Sequence, residues 1–294
     1  MFDLAEPTLE ALQWQARAQA YRQRLDRFLP PLLQRIATGD PVPAFLFSYY
    51  SLRPAQLRWW NPGYGVRLAG AAALQDYRGR RGYAVHDGGV GVAAGYLRER
   101  ADTVRFVARL LRACGQRPAQ LNCFGLHEWA MVYRRAAHQS VRHEHVPLRL
   151  PAVEVDRVVE ATPLRCTHFD AFRFFTPAAA PRNAGTPTRS TQIDWEQPGC
   201  LHANMDLYKW CYKLGPLIES ELLLDCLQLA AAAREIDMRA SPYDLSDYGY
   251  APIAIENAAG RAEYVRRQGE IAQRAAPLRA TLLARCEQLI DRCE

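Results

Sequence analysis

Lysine contributes little to the basic side of this chain; the formal net charge of +6 is carried by arginine far more than by lysine. Arginine makes bidentate contacts to phosphate or carboxylate, so this excess allows a nucleic acid or an anionic metabolite as partner without choosing between them. Long apolar runs are missing as well. The alanine run at 230–233 ends at Arg234, far short of the roughly 18 residues that span a bilayer, and membrane insertion is not expected. The eight cysteines (114, 123, 166, 200, 211, 226, 286 and 293) form no CxxC pair, and no secretory leader precedes them, so a disulfide framework is excluded and a reducing cytoplasm is expected. No GxSxG elbow, Walker loop or GxGxxG follows a strand, which leaves serine-hydrolase, P-loop and Rossmann readings without a motif.

The 294 residues suffice for a full hydrophobic core, and the ordinary apolar and charged fractions indicate a globular chain. The pattern predicts a mainly α fold with a few short strands or hairpins, as a single compact helical domain over 1–294. Its parts are an N-terminal helical segment at 1–40, a motif-bearing core at 41–258 and a C-terminal helix at 259–294. Leu9, Leu12, Ala16, Ala20, Leu25, Phe28 and Leu32 recur near helical period, with Pro30-Pro31 expected to interrupt or restart the helix. Phe45, Phe47 and Tyr49 alternate as a buried strand face would. The glycine pairs around 81–90 suggest a hairpin, followed by a helix from about 93 to 113 and another from Leu126 to Ala137. The Pro- and Thr-rich stretch 176–192 reads as a long surface loop, and helical signal returns over 201–239, broken at Gly215-Pro216, and from Gly260 onward.

Seven histidines occur in all, and six of them (127, 138, 143, 145, 168 and 202) fall within a quarter of the chain. Three short segments set an acid beside a histidine: FGLHEW with His127 and Glu128, THFDAF with His168 and Asp170, and GCLHANMD with His202 and Asp206. On a helix His202 and Asp206 share one face, with Lys209 beside them. Imidazole and carboxylate are natural ligands for iron, manganese or zinc, so one reading is a divalent transition-metal site built from His127, His168 and His202 with Glu128, Asp170 and Asp206. Neither HExxH nor a repeated ExxH supports it. A thiolate variant for zinc would pair Cys123 with His127, Cys166 with His168 and Cys200 with His202. The structural alternatives are a capping box from Thr167 to Asp170, a satisfied His202 and Asp206 core pair, and an arginine partner for Glu128.

A second reading is a pocket for a flat ring. Trp59, Trp60 and Tyr64 supply faces on which a base could stack, and Arg53 and Arg58 supply cations for phosphates.

The segments FLFSYYSLRPAQLRWWNPGYG, CFGLHEWAMVYR, RCTHFDAFRFFTPAAAPRN, QPGCLHANMDLYKWCYKLGP and EIDMRASPYDL, in that order, resemble a bacterial family commonly labelled 3-methyladenine DNA glycosylase. The resemblance runs over most of the chain. It implies hydrolysis of the N-glycosidic bond to an alkylated purine in DNA. Under that reading Asp206 stabilises positive charge on the sugar or orients water, Glu128 or Asp170 is the alternative base, and Trp59 or Trp60 stacks on a base. The alternative is a metal-dependent hydrolase or oxidase. A nucleic-acid or partner-binding protein without catalysis is a third possibility.

Overall fold

The computed structural model describes residues 7–86, 89–135 and 145–293, so His138 and His143 lie outside the described residues. It is mainly α. In chain order the first elements are β1 (Thr8–Leu9), α1 (Ala11–Ala37), α2 (Pro41–Ser48), β2 (Arg67–Ala69), α3 (Ala71–Tyr77), β3 (Tyr83–His86) and β4 (Gly89–Val92). Then come α4 (Ala94–Gln116), α5 (Leu126–Ala130), α6 (Ala152–Ala161), α7 (Phe169–Phe172), α8 (Gln192–Trp195), α9 (Leu201–Leu214), α10 (Ser220–Arg239) and α11 (Ala258–Asp291).

Two sequence expectations fail. Pro30 and Pro31 sit inside an unbroken α1, whose Trp14, Ala18, Tyr21, Leu25 and Leu29 are buried along one stripe. Packing of that stripe outweighs the lost backbone hydrogen bonds. The segment from Pro41, read as a buried strand, is the helix α2: Asp40 caps it by accepting from the Val42 amide at 2.9 Å, and prolines are tolerated in a first turn where amides lack partners anyway.

The sheet is small, in the order β1-β2-β4-β3, with β1 parallel to β2 and the other pairs antiparallel. Helix α4 runs as expected from about 94. The helix expected over 126–137 stops at Ala130 and continues as turns; residues 136 and 137 lie outside the described residues. The stretch 176–192 is tied down rather than loose. Asn183 accepts from the Cys166 amide at 2.8 Å and donates to the Cys166 carbonyl at 2.9 Å, which fixes the backbone leading into His168.

Helix α9 is the centre of the architecture. It packs against α10, α11 and α4, and almost every residue of it is buried, polar ones included. A helix buried on all sides must satisfy its polar side chains internally, because no water reaches them. Among the described residues no helix is long and apolar enough to cross a membrane.

Candidate functional site

Helical spacing sets His202, Asp206 and Lys209 on one face of α9, at i, i+4 and i+7, and all three are buried. Three other parts of the chain converge on that face. Helix α5 brings His127 and Glu128. Its entry needs Gly125 at φ 70°, where a Cβ would meet Ala240 at 3.2 Å and Tyr264 at 3.3 Å, so only glycine lets α5 sit this close to the end of α10. The Trp129 indole donates to the Ala240 carbonyl at 2.8 Å and fixes the helix there. The segment entering α7 brings His168 and Asp170, and Glu196 follows directly on α8.

The three histidines meet. The His127 and His202 rings are edge to face with centroids 4.4 Å apart, and His168 stacks on His202 at 5.3 Å. Carboxylates divide them into two sets. His127 Nε2 lies 2.7 Å from Asp237 Oδ1, and His202 Nε2 lies 4.0 Å from Asp237 Oδ2. His168 Nε2 lies 3.3 Å from Asp206 Oδ2 and 3.4 Å from Glu196 Oε1. Each set, His127/His202/Asp237 and His168/Glu196/Asp206, holds three fully buried ligand-type side chains whose donor atoms lie within 4.8 Å of one another.

Two cations stand behind the acids. Arg234, fully buried, donates through Nη1 to Glu128 Oε1 at 2.8 Å and to Asp237 Oδ2 at 2.5 Å. Lys209 Nζ reaches Asp206 Oδ2 at 2.5 Å and Asp170 Oδ2 at 3.1 Å. The Tyr50 hydroxyl donates to the other Asp206 oxygen at 3.1 Å. The carboxyl groups of Glu128, Asp170, Glu196, Asp206 and Asp237 outnumber these buried cations. Glu128 Oε2 and His168 Nδ1 are buried without a hydrogen-bond partner among the described residues, although polar groups in such places are normally satisfied.

Burial and charge tune the site. Burial, with the His127 imidazole beside it, holds His202 well below the usual histidine range, so its lone pair is free at neutral pH. Burial also opposes protonation of His168, but its hydrogen bond with Asp206 and the charges of Asp206 and Glu196 outweigh that and raise it. For Asp206 and Asp237 burial works against ionisation. Lys209 for the first, and the His127 imidazole with the Arg234 guanidinium for the second, overcome it and keep both below the usual carboxylate range. Burial raises Glu196.

The expected capping box does not form: His168, not Thr167, is the N-cap of α7 and makes no side-chain cap, and Asp170 turns to Lys209 and, at 3.3 Å, to Arg173. The thiolate variant also fails. Neither ligand set found among the described residues contains a cysteine, and burial raises Cys123, Cys200 and Cys166, the last to about 12. Glu128 does have an arginine partner, as the structural alternative anticipated, but the partner is Arg234.

The aromatic segment goes elsewhere. Trp60 is buried and its indole donates to Glu221 at 2.7 Å; Trp59 is exposed, with the Arg80 guanidinium 3.3 Å over its ring. Arg53 is exposed, Arg58 pairs at the surface with Asp26, and Tyr64 is half-buried at the rim of a cavity shared with Glu219 and Arg285. His145 is exposed. Asp237, Glu196, Arg234 and Tyr50 were missed from sequence, though Asp237 lies in EIDMR and Glu196 immediately precedes QPGCLHANMD.

Comparison of the chain with protein-family models, with curated proteins and with solved structures finds no match.

Proposed function

We propose that the chain is a metal-dependent enzyme, hydrolytic or oxidative, whose centre is the paired sets His127/His202/Asp237 and His168/Glu196/Asp206. The observation that carries this reading is the excess of buried carboxyl groups over buried cations around three touching imidazoles, which a divalent ion would offset. Two imidazoles and one carboxylate are the donor set of non-haem iron sites and of zinc hydrolase sites, and nitrogen and oxygen donors also suit manganese. An ion there supplies Lewis acidity. Arg234 orients Glu128 and Asp237, and Lys209 orients Asp206 and Asp170. Asp170 and Tyr49, at the edge of the cluster, are only partly buried and have the exposed Arg173 next to them.

Hydrolysis of N-glycosidic bonds to alkylated purines in DNA is the second reading. It is favoured by the coincidence that four of the segments resembling the glycosylase-labelled family furnish His127, Glu128, His168, Asp170, His202, Asp206 and Asp237. An ionised Asp206 suits the positive charge that develops on the sugar.

Protein purified without chelator, assayed by elemental mass spectrometry and for release of methylated base from alkylated DNA, separates the two. Near-stoichiometric transition metal that is lost in His202→Ala supports the metal enzyme. Base release by metal-free protein supports the glycosidase and overturns it.

A further inference from the structure

Trp210 also lines a cavity outside the histidine cluster. This cavity, of about 740 Å³, opens between the start of α4, the end of α9 and the stretch before α8, and it is strongly basic. Arg81, Arg100, Arg189 and Lys213 line it, and among the described residues none of these four has a carboxylate within ion-pair distance. The acid on its lining, Asp102, is fully exposed and paired with Arg105. The fold therefore gathers four cations from separate segments with no ion-pair partner among the described residues, and their mutual repulsion favours an anion there.

Two further details point inward. Arg100 donates through Nη2 to the Lys213 carbonyl at 2.5 Å, while its Nε is buried without a hydrogen-bond partner. Lys209 and Lys213 are the chain's whole lysine complement; one is buried against Asp206 and the other stands at this cavity. The remaining wall is aromatic: Tyr96 and Phe106 are half-buried, and Tyr96 is fixed by its hydroxyl donating to the Gly215 carbonyl at 3.0 Å, with Arg81 5.9 Å over its ring.

We infer that this cavity binds a nucleoside phosphate, its phosphates among Arg100, Arg189 and Lys213 and its base against Tyr96 and Phe106. The volume is that of a small-ligand pocket, arginine and lysine are the natural phosphate donors, and a flat base gains from an aromatic face with an arginine beside it. This site stands independently of the metal centre.

Isothermal titration of the full chain with ADP, adenosine, pyrophosphate and a 12-nucleotide single-stranded DNA tests it. ADP should bind at least about tenfold more tightly than adenosine or pyrophosphate alone, and Lys213→Ala and Arg189→Ala, both at exposed positions, should each weaken ADP by about tenfold. Circular dichroism melting of both variants confirms that they fold. Failure of ADP to bind, equal affinity for ADP and adenosine, ADP affinity unmoved in both variants, or binding of the oligonucleotide without ADP would each overturn the proposal.

Discussion

His127 Nε2 lies 2.7 Å from Asp237 Oδ1, which ties the short helix α5 to the last turn of α10 through a buried imidazole and carboxylate. The same carboxylate receives Arg234 on its other oxygen. Asp237 is therefore the point where ligand-type side chains and the structural ion pairs of the core meet. In the proposed centre Asp237→Asn removes a charged oxygen donor, so metal affinity should fall by about tenfold or more while the fold persists. Metal content after gel filtration, compared with the native chain, is the check; undiminished content would place the metal elsewhere.

Arg234 gives the complementary case. It is fully buried between Glu128 and Asp237, with the Phe45 ring 4.0 Å from its guanidinium carbon. Replacing it by methionine keeps the bulk, leaves Glu128 without its cation and leaves Asp237 with His127 and His202 alone, so stability should drop by about 3–5 kcal/mol, as for other broken buried pairs. Chemical denaturation measures it. A loss below about 1 kcal/mol would mean that the acids are held by something other than Arg234.

The class of fold was legible because periodic apolar stripes are long in α1, α4, α10 and α11. The failures had two causes: at Pro30-Pro31 packing of the buried stripe overrode local chemistry, while in α2 the Asp40 cap and first-turn prolines start a helix where alternation suggested a strand. In the site, the three histidines could be picked out because each stands beside an acid in a segment rich in apolar residues. Asp237 and Arg234 were not, because a lone Asp and Arg three residues apart on an amphipathic helix are read as a solvated pair. The packing of α10 against α9, α5 and α2 is what buries them. Glu196 was hidden similarly, in a short helix end whose burial depends on contacts with α4.

Gly125 should be intolerant of substitution. Alanine there must adopt φ 70° and press on Ala240 and Tyr264, so Gly125→Ala should cost more than about 1 kcal/mol and displace His127 and Glu128. A melting temperature equal to that of the native chain would contradict this account of α5.

Acid sensitivity is expected at a pair outside the site. Arg149 grips Glu256 with two hydrogen bonds, at 2.7 and 2.6 Å, and its guanidinium lies 5.3 Å from the Trp129 ring. Burial alone would raise Glu256, but the Arg149 hydrogen bonds outweigh it and hold the carboxyl below its ordinary value. In the unfolded chain a glutamate titrates near about 4.3, so below that pH the unfolded state binds the proton more readily and the pair's contribution fades. Full at neutral pH, it is lost as pH falls through the folded value. Glu256→Gln should therefore lower stability at pH 7 and flatten the fall in stability below the ordinary glutamate pKa of about 4.3, measured by urea unfolding at several pH values. Parallel curves for both proteins would remove Glu256 from the acid response.

Asp206 separates every reading of the cluster in one variant. It accepts from Lys209, Tyr50 and His168 together, so Asp206→Asn changes charge with little change of shape. As a metal ligand in the His168/Glu196 set, its loss should lower metal content and turnover together. As the charge-balancing acid of a metal-free glycosidase, its loss should abolish base release and leave any metal untouched, because an amide does not offset positive charge on a sugar. As a purely structural acid, its loss should leave metal content unchanged and cost stability, by about 3–5 kcal/mol, since Lys209 would keep only Asp170 as a partner. Metal content, unfolding free energy and turnover of this variant form a different pattern in each case. A protein unchanged in all three would show that the α9 face carrying His202, Asp206 and Lys209 is not the functional centre.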